Sequence, residues 1–302
     1  MMESWPAPDG WMLRRIRLGG RGAPRGSLLF LGGRADHIEK YDEALIGWAE
    51  EGWAVESLDW RGQGGSGRLI QGSALGHAED FDCWLEDVEA YAREWRGRTR
   101  GPQVIVAHSM GGHLVLRALA EGRIAADAVV LSAPMLGIHT GVLPHWLAGR
   151  IAAAACALGL GRRGIGRVRS AVRVDEGATL PNVLSHDRER LLRAARFEVE
   201  RPDIALDTPT WGWLRAAYRS LDVLARTGLL ERVRTPLLIL ASTGDAVVST
   251  PAIIRMAARI PGARLHVYGA DVAHEILREV DAVRDDALAR IAAFFAEYAP
   301  SR

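Results

Sequence analysis

Val104-Ile105-Val106-Ala107-His108-Ser109-Met110-Gly111-Gly112-His113 decides how the rest of the chain is read. Val104 to Ala107 form a short apolar run of the kind that makes a buried strand, and Leu114 to Ala120 continue as a helical pattern. Between them lies a small-x-Ser-x-Gly sequence, Ala107-His108-Ser109-Met110-Gly111. A strand-to-helix turn of this form carries a nucleophilic serine at its tip. Its flanking positions must be small because the turn is pressed against neighbouring backbone. The five residues alone are weak evidence. Their placement between a β run and a helical pattern makes Ser109 the candidate nucleophile.

Further apolar runs lie on both sides of this turn: Trp11–Leu18, Ser27–Leu31, Trp53–Leu58, Ala128–Leu131, Leu237–Ala241 and Arg264–Tyr268. Helical patterns alternate with them. The clearest has Phe81, Trp84, Leu85, Val88, Tyr91, Ala92 and Trp95 on one face, with Asp80 expected as its N-cap. The last carries Leu288, Ile291, Phe294, Phe295 and Tyr298. Alternation of strand and helix predicts an α/β protein with a mostly parallel sheet. Gly19-Gly20-Arg21-Gly22 reads as a turn.

The spacing breaks once. Roughly one hundred residues separate the runs at 128–131 and 237–241, where α/β connections are normally short. Helical patterns fill the gap at 146–160, 187–199 and 211–230. The expected organisation is a core of residues 1–134 and 236–302 with a helical cap, 135–235, over the C-terminal edge of the sheet. Ligands of open α/β sheets bind at that edge. Leu143, Trp146, Leu147, Ile151, Trp211 and Trp213 supply an apolar face in the insertion, and Trp146, Trp211 and Trp213 are its candidate pocket residues.

A serine hydroxyl needs an oriented base to become a nucleophile. Of the nine histidines, His274 lies just beyond the last apolar run and before the final helix, where a loop reaches the sheet's C-terminal edge. His108 adjoins Ser109 but points elsewhere in such a turn. His113 falls on the helix that follows, and His77, His139, His145, His186 and His266 lack a comparable place. The acid is expected at Asp245, which follows Leu237–Ala241. Asp271, three residues from His274, is the alternative, and the chain order Ser…Asp…His favours Asp245. Two backbone donors are needed for an oxyanion. The amide of Met110 follows the nucleophile, and the amide of Arg34 follows Gly32-Gly33 at the end of the 27–31 run.

Composition excludes other classes. The chain has 302 residues, 48% hydrophobic and 25% charged, which suits a folded globular protein. With 38 basic and 37 acidic residues, its formal charge of +1 gives no basis for nucleic acid as a partner. Cys83 and Cys156 form no CxxC pair and fit a reducing compartment. The N-terminal residues carry no secretory pattern, and no apolar stretch has the ~20 residues of a membrane span. A cytoplasmic location is expected, with peripheral membrane contact left open. Gly62-Gln63-Gly64-Gly65-Ser66-Gly67 matches G-x-G-x-x-G after a strand, but no helix opens behind it, so it reads as a structural loop rather than a dinucleotide site.

Together these stretches resemble the α/β-hydrolase superfamily, and within it the lysophospholipase L2 and monoacylglycerol lipase group, often labelled serine aminopeptidase S33-like. The resemblance rests on Gly32 to Tyr41, Asp59 to Gly67, Ala107 to His113, Asp207-Thr208-Pro209-Thr210-Trp211-Gly212-Trp213, Gly244-Asp245 and Ala273-His274-Glu275. It implies an α/β-hydrolase fold and hydrolysis of a small-molecule acyl ester through an acyl-enzyme, with no metal or organic cofactor. Three positions depart from the group's usual pattern: Gly32 stands in place of a histidine, Gln63 in place of another, and Ala107 in place of the first elbow glycine. The alternatives are an S33-type peptidase acting on N-terminal residues and a non-catalytic binding protein on the same fold.

Overall fold

The computed structural model describes residues 2–21, 25–141, 143–166 and 183–300. Its strands are β1 (Met2–Pro6), β2 (Met12–Leu18), β3 (Gly26–Leu31), β4 (Trp53–Leu58), β5 (Gln103–His108), β6 (Ala128–Ser132), β7 (Leu237–Ser242) and β8 (Arg264–Tyr268). They form one sheet in the order β1-β2-β4-β3-β5-β6-β7-β8. Strands β1 and β2 pair antiparallel, as do β2 and β4, and every later pairing is parallel. The architecture is the α/β fold expected from the alternation. β1 is the element that the apolar pattern does not announce. Its Met2-Glu3-Ser4-Trp5-Pro6 buries only Trp5, and a proline ends it, as suits an edge strand.

The central strands β5, β6 and β7 are buried along their whole length because helices cover both faces of a parallel sheet. Those helices are α1 (Asp42–Glu50), α2 (Asp82–Arg98), α3 (Ser109–Ala120), α7 (Thr250–Ala257) and α8 (Asp281–Tyr298). All twelve residues of α3 are buried, so it carries no polar face. Two of its polar side chains, His113 and Arg117, meet at Ser220. Ser220 Oγ accepts from Arg117 Nη1 at 2.9 Å and lies 2.6 Å from His113 Nε2. Burial, with the Arg117 charge beside it, holds His113 down to about 3, so it stays neutral. Asp80 is not the residue adjoining α2. Phe81 occupies that place, and the Asp80 carboxylate still accepts the Asp82 amide at 3.0 Å.

Between β6 and β7 lie α4 (His145–Ala157), α5 (Arg188–Glu200) and α6 (Trp211–Leu224). Asp187 caps α5 by accepting the Arg190 amide, and Thr210 caps α6 by accepting the Trp213 amide. The pattern extending to Leu230 ends early: α6 stops at Leu224, and a loop with Gly228 at φ +84° follows. α6 faces two ways. Trp213, Ala216, Ala217 and Leu224 join the main core, while Tyr218 and Leu221 pack with Ala148 of α4 in a small separate cluster. Residues 167–182 of the expected 135–235 insertion, and Gly22 of the expected Gly19–Gly22 turn, lie outside the described residues.

Candidate active site

Parallel registry brings the C-terminal ends of the central strands level. Leu31 pairs with Ala107, Ala107 with Leu131, and His108 with Ser132. The loops that leave these ends meet at one place. Among the described residues only Ala35, Ser109 and Ala133 have positive φ without being glycine, at +62°, +51° and +44°. Ser109 is the turn residue predicted from the sequence. Ala35 adjoins Arg34, and Ala133 opens the loop after β6, in which the Met135 amide donates to the Ser109 carbonyl at 2.9 Å. A left-handed backbone at a residue with a Cβ costs about 1–3 kcal/mol. Here that strain is concentrated around one serine.

The small-residue requirement is visible in contacts. A Cβ on Gly111 would lie 2.3 Å from the Gly32 carbonyl oxygen, which is backbone and cannot yield. A Cβ on Gly33 would lie 2.8 Å from Ser109 Cβ and 3.2 Å from His108 Cδ2. Gly33 thus lets the loop after β3 lie directly on the Ser109 turn. Gly32 is similarly close: a Cβ there would stand 2.9 Å from that of Asp36, so the usual histidine would require Asp36 to shift.

His274 Nε2 lies 2.9 Å from Ser109 Oγ, and His274 Nδ1 lies 2.6 Å from Asp245 Oδ2. With a neutral imidazole, the serine hydroxyl donates to Nε2 and the Nδ1–H donates to the carboxylate. All three side chains are largely buried. Asp245 Oδ1 accepts the amides of Val247 and Val248 at 2.8 and 2.9 Å. Burial pushes the Asp245 carboxyl up. The hydrogen bond and charge of His274, with those two amides, outweigh it and set the carboxyl below its usual range. Asp271 is exposed and makes no bond to His274. His108 donates from Nδ1 to the Ser132 carbonyl at 3.2 Å. Burial and the adjacent His274 hold His108 down to about 4, so it packs as a neutral ring.

A cavity of about 810 Å³ opens over Ser109 and His274. Arg34 and Met110 both line it. Met110 is the second residue of α3, so its amide has no acceptor within the helix. The Arg34 amide has none among the described residues. Gln63 of the glycine-rich loop braces this turn by accepting the Ala35 amide at 2.7 Å, which gives that loop a structural task. Of the three candidate tryptophans, Trp213 lines the cavity, while Trp146 and Trp211 do not. The reason is helical phase. Trp211 and Trp213 are two residues apart in α6, which puts them on nearly opposite sides of the helix. In α4 the inward positions are Ala148, Ala152 and Ala155, which leaves Trp146 62% exposed beneath the Arg150 guanidinium.

Sequence reasoning missed a charged cluster beside His274. Lys40 Nζ lies 2.6 Å from both Asp36 Oδ1 and Glu275 Oε1, and Glu275 also pairs with Arg278. Asp36 Oδ2 in turn accepts the Gly33 amide at 2.6 Å. Burial alone would raise the Glu275 carboxyl. Lys40 and Arg278 overcome it and hold Glu275 at about 2, and Lys40 likewise holds Asp36 well below the usual carboxylate range. This cluster fixes the loop that carries Arg34 to the segment that carries His274.

The family model for serine aminopeptidase, S33, matches residues 22–281. The chain belongs to the serine aminopeptidase S33 family. Lysophospholipase L2 of Escherichia coli K12 is 34% identical over 281 residues, covering 87% of this chain and 78% of that protein. A probable lysophospholipase L2 of Haemophilus influenzae is 27% identical, covering 88% and 82%. This S33-family chain also shares its fold with a soluble variant of monoglyceride lipase from Saccharomyces cerevisiae, solved with a substrate analogue. The TM-score is 0.76 at 16% identity, over 100% of this chain and 96% of that one. A carboxyl esterase from Bacillus coagulans aligns with a TM-score of 0.74 at 17% identity, over 99% and 98%. The α/β-hydrolase fold is therefore shared, and the expected family is the observed one.

Proposed function

We propose that this protein cleaves lysophospholipids, monoacylglycerols or similar acyl esters through an acyl-enzyme on Ser109. Carboxylic ester hydrolysis is the activity that the lysophospholipase relatives support. The observation carrying the finer reading is the hydrogen-bonded chain Asp245–His274–Ser109 at the floor of a largely apolar cavity. His274 Nε2 takes the Ser109 proton as Oγ attacks the ester carbonyl carbon. The developing oxyanion is held by the amides of Arg34 and Met110. His274 then protonates the leaving alkoxide. In the second half-reaction His274 takes a proton from water, the hydroxide attacks the acyl-enzyme carbonyl, and the acid leaves as Ser109 regains its proton. Asp245 orients His274 and stabilises the imidazolium.

Residues 135–235 are proposed as the cap that supplies the acyl wall, through Trp213, Leu214 and Val199. Among the described residues no helix is long and apolar enough to cross a membrane. Peripheral contact with a lipid surface is supported by α4, which exposes Trp146 and Ile151, carries Arg150 and has no acidic residue. A cytoplasmic location is favoured by the two free cysteines. A peptidase would need a carboxylate ready to receive a substrate amine. Of the acids lining the cavity, Asp36 and Glu275 are paired with Lys40, Asp207 accepts the Thr208 amide, and burial pushes the Glu198 carboxyl up, against the charged form. The test is a substrate panel of lysophospholipid, monoacylglycerol and an aminoacyl anilide, run beside fluorophosphonate labelling of wild type and Ser109→Ala. Labelling only of wild type, with turnover of the lipids and not the anilide, is the expected result. Faster turnover of the anilide would overturn the ester reading.

A further inference from the structure

The strongly buried arginines Arg15, Arg61, Arg117, Arg190 and Arg278 each have a carboxylate within ion-pair distance. Arg34 does not. Arg34 lines the site cavity, and its Cζ lies 5.7 Å from the ring centroid of Trp213, another lining residue. Nη1 donates to the Asp207 carbonyl at 2.8 Å, and Nε and Nη2 have no acceptor among the described residues. The nearest acids are already engaged. Asp36 is held by Lys40 and the Gly33 amide, and Asp207 Oδ1 accepts the Thr208 amide at 2.6 Å. Burial lowers the Arg34 guanidinium to about 10, with Asp207 and Asp36 acting the other way, so it remains a cation at neutral pH. A half-buried cation with spare planar donors, at the wall of a cavity, is suited to receive an oxyanion with two oxygens.

We propose that the Arg34 side chain binds the phosphodiester of a lysophospholipid while the backbone amide of the same residue holds the ester oxyanion. The inference rests on the ester-hydrolase reading and adds to it the class of leaving group. The covalent path from an arginine amide nitrogen to its guanidinium carbon has as many bonds as that from the acyl carbonyl carbon of a lysophospholipid to its phosphorus. One residue is therefore long enough to reach both groups of one substrate. The Trp213 face and the Asp207 carbonyl hold the guanidinium in place, so little side-chain freedom is lost on binding. A monoacylglycerol has the same ester and no phosphate, so Arg34 sets the preference between the two lipids.

The experiment compares kcat/KM for palmitoyl lysophosphatidylethanolamine and monopalmitoylglycerol in wild type, Arg34→Met and Arg34→Lys, with fluorophosphonate labelling to count active serines. Both variants keep the backbone amide. The readout is the ratio of the two substrates in each protein, which cancels any loss common to both. Arg34→Met should lower the lysophospholipid-to-glyceride ratio by roughly tenfold to a hundredfold, mainly through KM, since the phosphate is bound equally before and during the chemical step. Arg34→Lys should recover part of the ratio. Equal losses on both lipids would overturn the proposal and reduce Arg34 to a loop residue. Arg34→Gln serves the same comparison if the methionine variant does not fold. A wild type that labels but cleaves neither lipid would instead sink the lipid reading itself, and this inference with it.

Discussion

The two walls of the cavity are built differently. On the sheet side, the loops after β3, β5, β6, β7 and β8 are locked by backbone contacts, by three strained residues and by the Asp36–Lys40–Glu275–Arg278 cluster. On the insertion side, α6 docks through one face, α4 meets it mainly through alanines, and Trp146 and Ile151 stay outside. The first wall has little freedom to vary without losing the alignment of Ser109 and His274. The second contributes mostly apolar surface, which tolerates substitution of similar volume. Chemistry should thus depend on the sheet wall, and chain-length preference on the insertion wall.

The hardest test of that division removes the nucleophile. Ser109→Ala should fold normally and lose kcat by a factor on the order of 10⁶, as removal of a triad serine does elsewhere. Ester turnover near wild type by the purified variant would end the assignment. Next, Asp245→Asn should cost on the order of 10⁴ in kcat, because His274 would lose its oriented tautomer. Asp271→Asn should change kcat little, since Asp271 is exposed. A reversal of these two effects would move the acid to the other loop.

Lys40→Met probes the rigidity of the sheet wall rather than its chemistry. It leaves the buried Asp36 carboxylate without its cation and Glu275 with Arg278 alone, and should destabilise the fold by about 3–5 kcal/mol at neutral pH. The pH dependence has a definite sign. Glu275 and Asp36 lie below their unfolded values, so their contribution is full above the ordinary carboxylate range and fades as pH falls toward about 2. Lys40 lies above its unfolded value, so its share is full below that value and is lost only as strongly alkaline pH passes the folded one. Tm should therefore differ most between wild type and variant at neutral pH, and the gap should narrow on acidification. A Tm equal to wild type at pH 7 would show that the loops hold without the cluster.

The smallest effect belongs to the insertion. Trp213→Ala should reduce the octanoyl-to-acetyl ratio of kcat/KM for p-nitrophenyl esters by roughly tenfold, since each buried CH₂ is worth ~0.8 kcal/mol. Trp146→Ala and Trp211→Ala should leave that ratio unchanged. If Trp146→Ala lowers it as much as Trp213→Ala, the insertion wall extends to the outer face of α4.

What was legible from the sequence follows the same division. Ser109, Asp245 and His274 each stand just beyond an apolar run, and a parallel sheet gathers such positions at one edge whatever the details of packing. The fold class followed from the alternation for the same reason. The tryptophans were grouped by composition, and only the helical phase separates Trp213 from Trp211. The outward turn of Trp146 depends on which face of α4 meets α6, a tertiary choice that small residues at 148, 152 and 155 hint at. The Lys40 cluster joins segments more than two hundred residues apart, so no local pattern shows it. Two cues were present: a single lysine in the whole chain and a glutamate next to His274.

That single lysine has a practical side. Its side chain is 10% exposed, and its amine is clamped between two carboxylates. Amine-directed reagents such as succinimidyl esters or reductive methylation mixtures should leave the ε-amine of the folded protein unreacted. Mass-spectrometric modification at Lys40 would then work as a one-site clock for opening of the loops around His274. Immobilisation through lysines would fail on the native protein and succeed only on molecules that have already lost the site.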